Sequence, residues 1–243
     1  MTESAASGAD GRMTVVEHLS ELRRRLIISL LAIAVGAVVC FVFFDTILEV
    51  LVDPYTEISG NERLIFTDPL EAFTTRLRVS GYGGIALASP VLLWQLWRFV
   101  TPGLYSREKR YAIPFMVSSI SLFVLGGFVA YRTLPNALDF LLNIGGSELE
   151  PLLTAQKYLS MVSLMAIAFG IAFEFPVVLM FLLLARALTT RQLRHWRRWV
   201  LMGVVTFAAL ITPSADPYSQ LMMAVPMYIF YEAVIIIGRV MRR

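Results

Sequence analysis

The stretch ELRRRLIISLLAIAVGAVVCFVFF, residues 21–44, sets three consecutive arginines directly before nineteen residues that carry no charge. An apolar run of roughly 20 residues is what a helix needs to cross a ~30 Å hydrocarbon layer, and a cationic flank holds one end at the interface. Outward from it, further apolar runs fall at about 79–100, 113–134, 158–185, 199–212 and 218–238. The whole chain is 57% hydrophobic and only 16% charged, with mean hydropathy +0.69, which excludes an ordinary soluble domain. The pattern predicts an all-α polytopic membrane protein with six transmembrane helices.

The first run lacks a small-residue cleavage pattern and is followed by Phe43, Phe44 and Asp45, so it is expected to stay as a helix rather than be removed as a signal peptide. Residues 1–12 are rich in Ala, Ser, Gly and Asp and are expected to form a flexible tail, leaving 13–243 as one six-helix domain. Cys40 is the single cysteine, inside the first run, and reads as a small apolar residue.

Charge gives the expected topology. Lys and Arg number four before the first run, four around Arg98–Arg110, five across Arg186–Arg198 and three at Arg239–Arg243, sixteen of the twenty-one. The opposite segments hold Arg63, Arg76, Arg78, Arg132 and Lys157 among ten acids. By the positive-inside rule both termini are expected to be cytoplasmic. Residues 45–78 alternate apolar residues with acids in a helical pattern and are expected to form an ordered outer cap, broken into pieces at Asp53-Pro54 and Asp68-Pro69. Residues 135–157, with Pro135, Gly145, Gly146 and Pro151, read as a second, smaller cap.

Pro90, Pro114, Pro176 and Pro226 lie within or at the start of the apolar runs and are expected to bend the helices into a concave wall. The last two helices are expected to be short. Residues 199–212 give only ~21 Å, so the polar hairpin at 212–220 should sit low in a thinned bilayer; a re-entrant pair that never crosses is the alternative.

Three glutamates need a reason. Glu174, in the run AFEFP at 172–176, costs roughly 2.5–3.5 kcal/mol at a helix centre and must face protein or water. Either it is protonated and donates to a carbonyl freed by Pro176, or it is a polar docking point or proton-sensitive site. Glu21 and Glu108 are carboxylates set within arginine. They either pair locally, Glu21 with Arg25 four residues on and Glu108 with Lys109 and Arg110, or accept an outside cation. Glu232 has Arg239 and the interface within reach. Trp94 and Trp97 suit interfacial anchors as well as any site, His195, Trp196 and Trp199 suit a headgroup-level belt, and His18 suits orienting the N-terminal segment.

Four segments in order carry a resemblance. They are His18-Leu19-Ser20-Glu21-Leu22-Arg23-Arg24-Arg25; Trp97-Arg98-Phe99-Val100-Thr101-Pro102-Gly103-Leu104-Tyr105 with Glu108-Lys109-Arg110; Phe169-Gly170-Ile171-Ala172-Phe173-Glu174-Phe175-Pro176; and Thr212-Pro213, Asp216-Pro217-Tyr218-Ser219-Gln220 and Pro226-Met227-Tyr228. From about 14 to 240 the chain resembles the TatC family, the core subunit of the twin-arginine protein translocase. It departs at Ser214-Ala215, where the family often has a second proline and a shorter loop, which leaves the placement of Asp216 open.

The resemblance implies a receptor and scaffold in the bacterial cytoplasmic membrane that binds twin-arginine signal peptides of folded cargo. It implies assembly with TatA-like and TatB-like single-span proteins, self-association, and export driven by the proton-motive force. The signal-binding glutamates are placed at Glu21 and Glu108, with Phe99, Arg23, Leu104 and Tyr105 as neighbours. The partner-helix or intramembrane polar site is placed at Glu174, Gln220 and Met227, and Pro54, Phe73, Tyr131 and Asp216 read as structural positions. The chemistry agrees: a guanidinium pairs best with a carboxylate, and two adjacent arginines on an extended peptide point apart, so they call for carboxylates from two segments.

With no H-E-x-x-H, G-x-S-x-G or Walker A pattern, neither an enzyme, a cofactor nor a metal is expected, and no nucleic-acid partner. A proton-coupled small-solute secondary transporter is the alternative function, since bent helices and an intramembrane acid also suit one.

Overall fold

The computed structural model describes residues 15–59, 64–100, 112–144 and 153–240. Among these it is all helical: α1 Val15–Val42, α2 Phe44–Ser59, α3 Pro69–Val100, α4 Ala112–Asn143, α5 Ala155–Ala172, α6 Phe175–Leu184, α7 Thr190–His195, α8 Arg197–Ile211 and α9 Pro217–Val240. Five spans are long and apolar enough to cross a membrane: α1, α3, α4, α5 with α6, and α9. Of the last two helices, both expected to be short, only α8 is: at 15 residues it reaches only ~22 Å and falls short, whereas α9, at 24 residues, has the length to cross.

Small residues let the long helices touch. A Cβ on Gly84 would lie 2.6 Å from the Ala37 nitrogen, and one on Gly36 2.8 Å from the Gly84 carbonyl, so α1 and α3 meet backbone to backbone. Cys40 is buried in the same seam, 2.9 Å from where a Gly83 Cβ would stand, as a small apolar residue should be. On its other faces α1 presents Leu30, Val35 and Val38 outward, as a lipid-facing helix does. α4 and α5 approach as closely, since a Cβ on Gly126 would come within 2.5 Å of the Phe169 carbonyl.

Where α1 ends, Arg76 of α3 donates to the Phe41 carbonyl at 3.0 Å with its guanidinium over the Phe41 and Phe44 rings. A cation on the last carbonyls of a helix offsets the negative end of its dipole. α2 then lies across the bundle, with Ile47, Leu48, Leu51 and Val52 packed on the core.

The cap differs from the sequence expectation in three ways. Pro54 does not break it: α2 runs through Pro54 to Ser59. Proline removes the donor for the carbonyl four residues earlier, that of Val50, and Tyr131 Oη of α4 donates to it at 3.1 Å, while Tyr158 Oη of α5 donates to Leu51 O at 2.8 Å. Two tyrosines from outside the helix thus supply donors where proline weakens the ladder. Asp68-Pro69 does act as a boundary, with Asp68 Oδ1 capping the Leu70 N–H at 2.7 Å and Pro69 opening α3, so 69–78 is the end of a long helix rather than cap. Likewise Pro135 lies inside α4, which continues to Asn143; Gly145, Gly146 and Pro151 lie outside the described residues.

Pro90 and Pro226 also sit within continuous helices, α3 and α9. Pro176 is different. It has no N–H to give and disfavours helical geometry at Phe175, and the chain breaks at Phe173–Glu174 to restart as α6 with proline in its first turn. α6 closes through Arg186 at φ 57°, with Ala187 N–H on Leu182 O and Arg186 N–H on Leu183 O, the paired bonds of a left-handed helix stop.

The α8–α9 hairpin is short of the bundle's far end. Tyr218, one residue into α9, accepts from Asn136 at 2.9 Å, and Asn136 lies seven residues before α4 ends at Asn143, ~10 Å away. Helix order and the Trp97 contacts with Phe115 and Phe181 put the starts of α1, α4 and α8 and the ends of α3, α6 and α9 together. Arg23–Arg25, Arg98, Arg186–Arg198 and Arg239 gather at this basic end, and Asp45, Glu49, Asp53, Glu57, Asp68 and Glu71 at the other.

Candidate functional sites at the basic end and in the groove

His18 stacks on Phe99 with ring centroids 4.6 Å apart and planes 26° from parallel, which joins the first turn of α1 to the last turn of α3. Glu21, three residues after His18, is therefore held beside the end of α3 and forms an ion pair with Arg25. The pair is half-buried, and only one carboxylate oxygen is used: Glu21 Oε2 and Arg25 Nε are buried without hydrogen-bond partners. Arg23 is exposed. Leu104, Tyr105 and Glu108 lie outside the described residues; the segment carrying them leaves α3 at Val100 and returns at Ala112. Trp97 near the end of α3 and Phe115 near the start of α4 have centroids 5.0 Å apart, so α3 and α4 meet where that segment leaves and returns.

The second site centres on Glu174 at the α5–α6 break. Its Oε2 accepts from Ser119 Oγ of α4 at 2.7 Å, and that hydroxyl accepts from Trp97 Nε1 of α3 at 3.1 Å. A chain of polar groups thus crosses three elements. Of the readings left open for Glu174, bonding to a carbonyl freed by Pro176 is not what holds it; a serine hydroxyl is. Of those for Trp97, the interfacial anchor does not describe a ring 8% exposed with its N–H on a buried serine, whereas Trp94 at 43% remains outward.

Glu174 is one of the residues that line an open groove of about 780 Å³, and its Oε1 is buried with no partner. The lining is otherwise apolar apart from Ser89, with Leu92, Leu96, Phe123, Val200, Phe207 and Met227 among it. A buried oxygen left without a partner gains strongly from any donor that can reach it by shifting the side chains that cover it.

The remaining predicted positions spread through the molecule. Met227, 2% exposed, forms part of the groove floor. Gln220 Nε2 donates to Val205 O at 3.2 Å and ties α9 to α8. Asp216, left open in the sequence, is the buried N-cap of α9: its Oδ1 accepts the Ser219 N–H at 2.6 Å with Pro217 as the first helical residue. Phe73 is exposed on the first turns of α3, while Pro54 and Tyr131 belong to the cap contact already described. Glu232 pairs with Arg197 of α8 at 2.5 Å, not with Arg239.

Sequence reasoning missed Ser119 and Glu71. Ser119 stands in the apolar run 113–134 as one of three serines within four residues, the signal that could have found it. Glu71, counted only as an outer acid, is 6% exposed and accepts from Thr67 N at 2.7 Å, Thr67 Oγ1 at 2.8 Å and Gln156 N at 3.2 Å, clasping the starts of α3 and α5.

Comparison with known proteins agrees with this architecture. The family described as Sec-independent protein translocase protein (TatC) matches residues 17–226. A Sec-independent protein translocase protein TatC from Frankia casuarinae is 42% identical over 94% of this chain and 66% of its own length; one from Aquifex aeolicus is 40% identical over 95% and 97%. A crystal structure titled as the twin arginine translocase receptor TatC superposes with TM-score 0.79 at 40% identity, covering 93% of this chain and 100% of that one. The solute-transporter alternative is not favoured by any of these. With a family match over residues 17–226 and a relative 40% identical over 97% of its own length, the chain belongs to the TatC family of Sec-independent protein translocases.

Proposed function

We propose that this chain is the receptor and scaffold subunit of a twin-arginine translocase in a bacterial cytoplasmic membrane, with six crossings and both termini cytoplasmic. The charge asymmetry between its two ends supports that orientation. α8 would complete the sixth crossing in a locally thinned bilayer, in keeping with a hairpin that stops near Asn136.

The observation that carries the receptor reading is the His18–Phe99 stack, which holds Glu21 beside the point where the segment with Leu104, Tyr105 and Glu108 departs. Glu21 and Glu108 would then offer carboxylates from two segments to two adjacent arginines of a signal peptide. In the empty site Arg25 neutralises Glu21 through one oxygen and the other, Oε2, is buried without a partner, so an incoming guanidinium would take its place on Glu21 by displacing the Arg25 side chain that covers it. Arg23 tunes the site from outside it, and Phe99, Leu104 and Tyr105 provide apolar contact for the residues after the twin arginines.

Glu174 is the docking point for a polar group on a TatA-like or TatB-like single-span helix lying in the groove, with Met227 beneath it. Gln220, already bonded to Val205 O, serves that site by fixing α9 rather than by donating to the partner. Copies of the chain associate within the translocase, and energy comes from the proton-motive force outside this chain.

Photocrosslinking from position 99 to a twin-arginine peptide tests the receptor site. Glu21→Ala and Glu108→Ala should each lower the yield with membrane levels unchanged; crosslinking that survives both removes the assignment. For orientation, a cysteine at the exposed position 215, Ala215→Cys in a Cys40→Ala background, should react with an impermeant maleimide from outside the cell, and labelling only from the cytoplasm would reject the sixth crossing.

A further inference from the structure

A second polar feature lies at the basic end, sharing none of its lining residues with the Glu174 groove although Trp196 and Trp199 of that groove stand beside it. Thr190, Arg191, Arg194, His195, Arg197 and Arg239 line a cleft of about 750 Å³ between α7, α8 and α9. The cleft is built by packing, not by a run of sequence. Leu193, 1% exposed, buries one face of α7, and Tyr231 Oη of α9 donates to the Leu193 carbonyl, which leaves Arg191 and Arg194 on the outer face. A Cβ on Gly238 would meet Thr190 Cγ2 at 2.7 Å, so the end of α9 packs directly on the start of α7 and brings in Arg239. A capping box between Thr189 and Gln192 fixes the first turn of α7.

The charges in the cleft are not balanced from within. Glu232 neutralises Arg197 at 2.5 Å with Tyr228 Oη 3.3 Å from its other oxygen. Among the described residues Arg191, Arg194 and Arg239 have no carboxylate within ion-pair distance. Three guanidinium groups in one concavity fit an oxyanion with several oxygens, and the forked donors of arginine match phosphate. The neighbouring Trp196 and Trp199 are 42% and 73% exposed, as aromatic rings at headgroup depth are. A phosphate bound here would lie at that depth.

We propose that the α7–α8–α9 cleft binds the phosphodiester headgroup of an anionic phospholipid through Arg191, Arg194 and Arg239. The Arg197–Glu232 pair orders the floor of the cleft, and the bound lipid fixes the short hairpin of α8 and α9 against α6.

Native mass spectrometry of the full-length protein in a neutral detergent, with phosphatidylglycerol, phosphatidylcholine or inorganic phosphate added, tests this. Phosphatidylglycerol should be retained and phosphatidylcholine not. The Arg191→Gln/Arg239→Gln pair should weaken retention about tenfold or more, since each lost charge-assisted bond is worth roughly that factor. Arg194→Gln alone should weaken it several-fold and guards against a folding defect peculiar to the double variant. Arg198→Gln removes the same charge outside the cleft and should change little. Retention unchanged in the double variant overturns the site, and so does an equal loss with Arg198→Gln, which would mean unlocalised charge. If inorganic phosphate displaces the lipid at equal concentration, the ligand is a free anion and the lipid assignment fails.

Discussion

Glu71 and Glu174 are two glutamates removed from water in opposite ways. Glu71, at the acidic end, has both oxygens engaged: Thr67 and Gln156 supply three donors, two of them backbone N–H groups that need an acceptor at the starts of α3 and α5. Glu174 has one hydroxyl on one oxygen and nothing on the other, in the wall of an apolar groove. A satisfied carboxylate holds elements together. One left half-satisfied keeps binding capacity in reserve and contributes less to holding the fold.

That contrast can be broken at several points. The largest effect is expected from Glu71→Ala, which leaves donors from two helix starts unpaired and should cause the greatest fall in thermal unfolding midpoint in detergent; a fall no larger than that of Glu174→Gln would break the comparison. Tyr158→Phe should cost about 0.5–1.5 kcal/mol, because the Leu51 carbonyl loses the donor it gains from outside α2, and the loss should be accompanied by faster proteolysis of α2. Asp216→Ala removes the N-cap of α9 and should cost about 1 kcal/mol in the same melting experiment. Glu174→Gln, which can still accept from Ser119, should change stability by less than about 1 kcal/mol while lowering crosslinking to a single-span partner. A loss of stability without loss of crosslinking would make Glu174 a clasp like Glu71. The smallest change is Ala215→Gly: at φ 49° the alanine is strained, and glycine should gain up to about 1 kcal/mol.

The same pair explains how much of the candidate sites could be read in advance. Glu174 stood out because an acid in an apolar run is costly by itself, whatever surrounds it. Glu71 did not, since an acid next to a Pro-initiated helix with a threonine four residues before it is ordinary at the surface, and its burial depends on the start of α5 arriving with Gln156 from 85 residues away. Glu21 lay between these cases. Its pairing with Arg25 is local and legible from the four-residue spacing, but its place beside Phe99 comes from the approach of α1 to α3 at Gly36 and Gly84. Ser119 and Trp97 were unreadable as partners because they are 22 residues apart in sequence and meet only when α3 and α4 pack.

By itself the sequence determined the class of the molecule, the apolar runs, their order, the charge asymmetry between the ends and the helix start at Asp68-Pro69. These follow from transfer free energy and local backbone geometry, which depend on residues within a turn or two. Only the tertiary structure decided whether each proline ends a helix. Pro54 and Pro176 have the same covalent defect, yet α2 continues through one, where Tyr131 and Tyr158 donate to the carbonyls beneath it, and the chain divides into α5 and α6 just before the other. Whether a freed carbonyl finds a donor is a property of what packs against it, and residues 81 and 107 positions away along the chain are beyond the reach of any local reading.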